Sequence, residues 1–292
     1  MRTGLRQTWA AYRCSTGLRV VTRGLVHIYH ADGHDVAALS GIDLVVAAGE
    51  RLALLGPSGA GKSTLLILFG GLLRPSAGRL LVGDRELSQL TEAELDEVRG
   101  TEVAMVLQGA ARNLLPYLSA RGNVAFAQGA ARQRGRDVPT PDEVLDLVGF
   151  PAASADGPLD HLTPGALQLL AVAVAVSCRP GLLLGDEPTS QLDHGARDVV
   201  LEALAQVNRQ WGTTVIIVTH DPDVAAAMPR TITIRDGRVG AEGREGEEFA
   251  VVSADGSVPL PPHALAAIPP GSLVRLHEED GRWVLVVEEE SP

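Results

Sequence analysis

The sequence predicts an α/β fold: a mainly parallel sheet carrying a glycine-rich loop, an antiparallel β edge, a helical subdomain and a small mainly-β C-terminal domain. Three observations predict it. Residues 56–64, Gly56-Pro57-Ser58-Gly59-Ala60-Gly61-Lys62-Ser63-Thr64, stand between the apolar runs Leu52-Ala53-Leu54-Leu55 and Leu65-Leu66-Ile67-Leu68-Phe69. Strand, glycine-rich turn and helix therefore follow without a gap. Strand-like and helix-like segments then alternate along the chain, the pattern of a parallel sheet with ligand groups at the carboxyl ends of its strands. Finally, the apolar run Leu182-Leu183-Leu184 ends on Gly185-Asp186-Glu187, which puts two carboxylates at such a strand end.

The first of these stretches has a chemistry. Glycines let the backbone curl until successive N–H groups point inward, where they can cradle phosphate oxygens. The helix that begins near Lys62 adds the positive end of its dipole. In this pattern Lys62 reaches the outer phosphates and the Ser63 hydroxyl is offered to Mg²⁺. Lys62 is also the only lysine in the chain. A composition so biased to arginine keeps lysine where a compact ammonium is needed. The loop is expected to bind a nucleoside triphosphate.

Before the loop, Leu25-Val26-His27-Ile28-Tyr29 alternates weakly, as an edge strand does, and Ala31-Asp32-Gly33-His34 makes a turn. Val36 to Val46 holds two short apolar segments split at Ser40-Gly41. After the loop helix, Arg74 to Gly78 breaks the chain and Arg79 to Val82 reads as a strand. Thr91 with Glu94 forms a capping box that opens a helix to about Val98. Glu102 to Leu107 is a strand ending at Gln108. Residues 109–160 differ, being rich in glycine, arginine and proline, with helical patterns at about 119–134 and 141–148; they read as an insertion beside the sheet. A helix from Ala166 to Cys178, the acidic strand end, a helix from about Gly195 to Gln210 and a strand from Thr213 to Val218 follow, with His220 just beyond. Asp236-Gly237 marks a hairpin.

Composition narrows the classes. At 292 residues, with 45% apolar and 3% aromatic content, the chain has a sizeable aliphatic core. Cys14 and Cys178 are too few for a disulfide framework or a metal site. The longest uncharged apolar run, Ala166 to Cys178, has 13 residues, which suits a buried helix better than a membrane span. Residues 1–21 carry arginines without a sustained apolar core and read as a loose N-terminal extension rather than a signal peptide.

The order GPSGAGKST, Gln108, Leu162-Thr163-Pro164-Gly165, LLLGDEPTSQLD, His220 resembles the ATPase subunit of an ABC transporter over residues 22–240. Asn113-Leu114-Leu115-Pro116 and the DEPTSxLD ending are similar to the lipoprotein-release, macrolide-export and cell-division branch. The resemblance implies a RecA-like core with a helical subdomain at about 109–165. It implies that Tyr29 stacks on adenine and that residues 56–64 hold the phosphates. Ser63, Asp186 and Gln108 would serve Mg²⁺, Glu187 would be the general base, and His220 would contact the γ-phosphate. Thr163 and Gly165 would reach the nucleotide of a second subunit, and Asp193 would lie in the loop crossing between subunits. Residues 109–127 would receive a helix of an integral membrane permease, which places the chain at the cytoplasmic face of the plasma membrane. An exporter or extractor motor is the reading favoured. The alternative is a cell-division type of transmitter that moves a membrane protein and transports nothing. Relatives that work on DNA or ribosomes usually carry two cassettes or long coiled-coil insertions, and neither pattern is present.

One segment departs from the family. Where the branch has LSGGxQQR, this chain reads Leu162-Thr163-Pro164-Gly165-Ala166-Leu167-Gln168-Leu169. Pro164 cannot donate its nitrogen. In this family a signature completes the partner's site, so the defect is expected to weaken that site and not the one holding Lys62. Pairing with a different ATPase is favoured over a slow homodimer.

Residues 241–292 carry 11 acidic residues and 3 arginines. Phe249 to Val252, Leu273 to Leu276 and Trp283 to Val287 read as strands, in an order that resembles a swapped-hairpin barrel. So acidic a surface repels phosphates, which argues against a nucleic-acid partner and for regulation or dimer contact.

Overall fold

A computed structural model of the chain describes residues 17–31, 34–244, 247–252, 256–260 and 262–287. Most of the expected N-terminal extension, with Cys14, lies outside them, as do Asp32 and Gly33 of the first expected turn. The strands are β1 (Val20–Ala31), β2 (His34–Val46), β3 (Arg51–Leu55), β4 (Ala77–Val82), β5 (Arg85–Glu86), β6 (Val103–Val106), β7 (Leu182–Asp186), β8 (Thr214–Val218), β9 (Arg230–Arg235), β10 (Arg238–Arg244), β11 (Glu247–Ala250), β12 (Val274–Glu279) and β13 (Arg282–Val287). The α-helices are α1 (Lys62–Phe69), α2 (Glu92–Thr101), α3 (Ala120–Ala127), α4 (Gly129–Gln133), α5 (Pro141–Leu147), α6 (Pro164–Val176), α7 (His194–Trp211), α8 (Pro222–Ala226) and α9 (Pro262–Ala267).

The main sheet has the order β11-β10-β9-β3-β8-β7-β6. Its strands from β9 to β6 are parallel, and β10 and β11 continue it antiparallel. The expected antiparallel edge is a separate sheet, β2-β1-β4-β5. The central strands read as unbroken apolar runs because both their faces are covered. Leu52, Leu54, Leu182, Leu184, Ile216 and Val218 pack with Leu65, Leu66, Leu68 and Phe69 of α1 and with Leu39, Ile42 and Leu80 of the second sheet. Ala53, Leu183, Val215 and Ile217 face the other way, onto Leu170 and Val172 of α6 and Val200, Leu204 and Val207 of α7. Helix α1 is thus held between two sheets, and full burial of Phe69 alone contributes about 1.5–3 kcal/mol.

The segment beside the sheet is helical, as expected, but the single helix expected at 119–134 is divided at Gln128 into α3 and α4. Gln128 is fully buried and its Nε2 donates to the carbonyls of Pro139 and Ser177 at 2.8 and 3.0 Å, tying this region to the end of α6. Asn123 is buried too. Its Oδ1 accepts from Leu115 N at 2.7 Å, and its Nδ2 donates to the carbonyls of Leu115, Leu118 and Ser119.

Past residue 240, where the sequence places a domain boundary, the main sheet continues. Ala241 to Arg244 find ladder partners in Thr233 to Arg230, and β11 adds to them. Strands β12 and β13 pair with each other as a two-stranded sheet. Of the strand expected at Phe249 to Val252, Phe249 and Ala250 fall in β11 of the main sheet. No described helix is long and apolar enough to cross a membrane.

Asn123→Ala would leave Leu115 N–H without its partner inside a packed loop. We expect a loss of about 2–3 kcal/mol, read as a lower urea midpoint with an unchanged slope.

Candidate functional site

The loop after β3 is shaped by close packing on both flanks. Gly56 has φ 138°, and a Cβ there would lie 2.1 Å from the Ile234 carbonyl oxygen. Gly61 has φ 98°, and a Cβ there would lie 2.4 Å from the Ala38 carbonyl oxygen. Only glycine meets both demands, the left-handed backbone and the missing side chain. Gly61 is also the N-cap of α1 and supplies no side-chain cap. The first-turn N–H groups therefore keep their capacity for an anion. Lys62 Nζ donates to the carbonyls of Gly56 and Pro57 at 2.7 and 2.8 Å, so the ammonium is held over the loop it would serve.

A cleft of about 540 Å³ opens over this loop. Ser58, Gly59, Gly61, Lys62, Ser63 and Thr64 line its floor, Tyr29 one wall, and Gln108, Asp186, Glu187 and His220 the other. The carboxyl ends of β6, β7 and β8 deliver that second wall, as a parallel sheet requires. Ser63 Oγ donates to Asp186 Oδ1 at 3.3 Å. Burial pushes the Asp186 carboxyl up, against the opposing pull of the Ser63 hydrogen bond. A divalent cation would reverse that balance. Among the described residues no cluster of three His, Cys, Asp or Glu could cage a metal unaided. Paired hydroxyl and carboxylate oxygens fit Mg²⁺, which binds through one or two protein oxygens together with phosphates and water.

Glu187 follows on a strained turn, with φ 49°, and its N–H donates to the Val218 carbonyl at 3.0 Å. A non-glycine residue held there costs roughly 1–3 kcal/mol, which the surrounding sheet must offset. Its Oε1 accepts from His220 Nδ1 at 2.7 Å. That hydrogen bond, and the charge behind it, raise the His220 pKa above the ordinary histidine value. The pair is a carboxylate oriented by an imidazole, both facing the cleft.

Gln108 is exposed and held indirectly. Asn113 accepts from Leu107 N at 2.9 Å and donates to the carbonyls of Leu107 and Gly109 at 3.0 and 3.1 Å, which fixes the turn carrying Gln108. No local signal around Asn113 in the sequence announces this task. The Tyr29 and Thr64 hydroxyls share a hydrogen bond at 3.2 Å, and the edge of His27 meets the Tyr29 ring at 4.7 Å between centroids. Thr163, Gly165 and Asp193 do not line the cleft. Thr163 accepts from Ala166 N at 3.2 Å and Asp193 from Ala196 N at 2.8 Å, so both cap helices. Pro164 stands at the first position of α6, where the helix makes no use of the missing N–H. The turn therefore offers no N–H at residue 164.

With this geometry in view, similarity to known proteins becomes informative. The sequence profile described as ABC transporter matches residues 39–190. The chain is 37% identical over 239 residues to the lipoprotein-releasing system ATP-binding protein LolD 1 of Caulobacter vibrioides, covering 79% of this chain and 98% of that one. It is 37% identical over 229 residues to the macrolide export ATP-binding/permease protein MacB of Rhodopirellula baltica, of which it spans 32%. Among solved structures, a dimeric ATP-binding cassette in a post-hydrolysis state with ADP and Pi superposes with a TM-score of 0.67 at 29% identity, covering 77% of this chain and 98% of that one.

A raised pKa means that the His220–Glu187 contact is complete below the free histidine value and is lost as pH rises through the shifted one. In an NMR titration of the imidazole, Glu187→Gln is expected to bring the His220 midpoint down toward that of an exposed histidine. An unchanged midpoint would show that Glu187 does not set it.

Proposed function

This chain belongs to the ABC transporter family and is an ATPase subunit of the kind found in lipoprotein-releasing and macrolide-export systems; we propose that it drives a membrane permease with Mg-ATP. The observation that carries the proposal is the single cleft that gathers Lys62, Ser63, Gln108, Asp186, Glu187 and His220 from four separate stretches of sequence. Each would act there in turn. Residues 56–64 bind the phosphates through backbone N–H groups, and Lys62 leaves the loop carbonyls for the outer phosphate oxygens. Tyr29 stacks on the base. Ser63 and Asp186, with Gln108, would hold Mg²⁺, which supplies charge neutralisation on the phosphates. Glu187 takes the proton of the attacking water, and His220 keeps Glu187 aimed while it contacts the γ-phosphate.

Thr163, Gly165 and Asp193 serve a second subunit. Both capping side chains sit on helix ends away from this chain's own cleft, where a partner's nucleotide can be met. With Pro164 in the signature, the partner's site is the weakened one, which favours pairing with a different ATPase subunit. The permease meets the helical subdomain. Tyr117 and Phe126 stand 77% and 68% exposed there. A cavity of about 350 Å³ bounded by Leu72, Arg99, Met105, Ala127 and Val174 includes the chain neighbour of Phe126 and would take a helix face. That partner sets the location, the cytoplasmic face of the plasma membrane. The chain divides into an N-terminal extension (1–21), an ATPase domain (22–240) and an acidic C-terminal region (241–292) that includes β11, α9 and the hairpin β12–β13.

Two outcomes test this. The purified chain binds a fluorescent ATP analogue with magnesium, and Lys62→Ala weakens that binding at least about tenfold; analogue bound equally well by the variant would refute the site. The isolated chain hydrolyses ATP slowly, and Pro164→Gly raises the rate of a homodimer while leaving the Lys62 site of a mixed dimer unchanged. Fast turnover by the unaltered chain alone would overturn the mixed-dimer arrangement.

A further inference from the structure

Arg197 lies in the first turn of α7, one turn past Asp193, and belongs to none of the motifs discussed above. Its side chain is 13% exposed. Nη1 donates to Asp221 Oδ2 at 3.3 Å and to Asp223 Oδ2 at 3.0 Å, and Nε donates to Asp198 at 3.2 Å. Asp221 directly follows His220. It donates its N–H to Thr219 Oγ1 at 3.1 Å and accepts from Asp223 N at 2.9 Å, capping α8. Thr219 N in turn donates to the Leu54 carbonyl at 3.1 Å. His220 is therefore fixed on one side by the sheet and on the other by a turn whose two carboxylates grip Arg197.

The same turn of α7 has two other attachments. Arg197 N donates to the Asp193 carbonyl at 2.9 Å and Ala196 N to the Asp193 side chain at 2.8 Å. A Cβ on Gly165 would lie 2.8 Å from Ala196 Cβ, so the 163–165 turn rests on Ala196. One helical turn thus touches the Thr163–Gly165 turn, carries Asp193 at its cap, and holds the His220 turn by a guanidinium.

The structure assigns Arg197 as a positioning residue for hydrolysis: it clamps the His220 turn to the end of α7 that carries Asp193 and supports Gly165. A shift of Asp193 or of the 163–165 turn on meeting a second subunit then reaches His220, and through it Glu187, as a rigid displacement. Without the clamp the turn after Thr219 is an exposed loop ahead of a five-residue helix, and the shift dissipates there. This inference rests on the ATPase reading above.

The test is Arg197→Gln in the full chain, assayed within the membrane complex that copurifies with it. The expected result is a kcat lower by about tenfold or more, as loss of alignment gives, with KM for ATP and affinity for a fluorescent ATP analogue within about twofold. In hydrogen–deuterium exchange the amides of residues 219–226 exchange faster, while those of β8 do not. Arg197→Lys, which keeps a charge able to hold the two aspartates, recovers a substantial part of the rate. An unchanged kcat, faster exchange throughout β8, or a lysine variant as slow as the glutamine one would overturn the positioning role. If the unaltered chain binds no ATP analogue, the ATPase reading itself is what fails.

Discussion

The site depends on a steric constraint more than on any single bond: the glycine-rich loop is wedged between two sheets. Gly56 passes against the Ile234 carbonyl of β9, and Gly61 against the Ala38 carbonyl of β2. The loop cannot relax outward, because the β9–β10 turn closes over it. Gly237 N donates to the Ala60 carbonyl at 3.3 Å, and Ser40 N to the Gly237 carbonyl at 2.9 Å. Helix α1 beneath is buried on almost every side, so its N-terminus has one orientation. An anion site made of backbone N–H groups has no side chains with which to adapt. Its accuracy comes from the packing around it.

Much of this could be read from the residue order. The loop and the acidic strand end carry their own local signals, glycine spacing and apolar runs, and the structure places them with His220 around one cleft. What could not be read was contact between distant segments. Asp236-Gly237 announces a hairpin, but nothing local says that the hairpin braces residue 60. Arg197 looks like any helical arginine, because its partners are fixed by how α7 and α8 meet and not by helical spacing. The boundary expected near residue 240 followed a change in charge composition. Backbone pairing ignores side-chain charge, so β10 and β11 extended the sheet through it.

Stability and chemistry draw on different parts of the chain. The apolar faces of β3, β7 and β8 hold the fold whatever the loop binds. The strained φ of Glu187 sits where those strands end, anchored by one backbone hydrogen bond to Val218. The carboxylate keeps its place only while β7 and β8 stay in register. A side chain at the end of a buried strand borrows its rigidity from the core, which a loop residue cannot do.

The capping geometry explains how proline at residue 164 is accommodated without disturbing the fold. Thr163 caps α6 with its hydroxyl oxygen, and Pro164 occupies the first helical position, where the ring is compatible with the helix and no internal hydrogen bond is lost. Everything the helix itself requires of this turn is met. What proline removes is one N–H donor at the exposed start of the helix, which nothing within this chain uses. Helix α6 therefore accepts proline at residue 164 at no cost to its own hydrogen bonding. A complete phosphate loop and a proline-bearing turn at α6 therefore coexist in one chain without competing for the same packing.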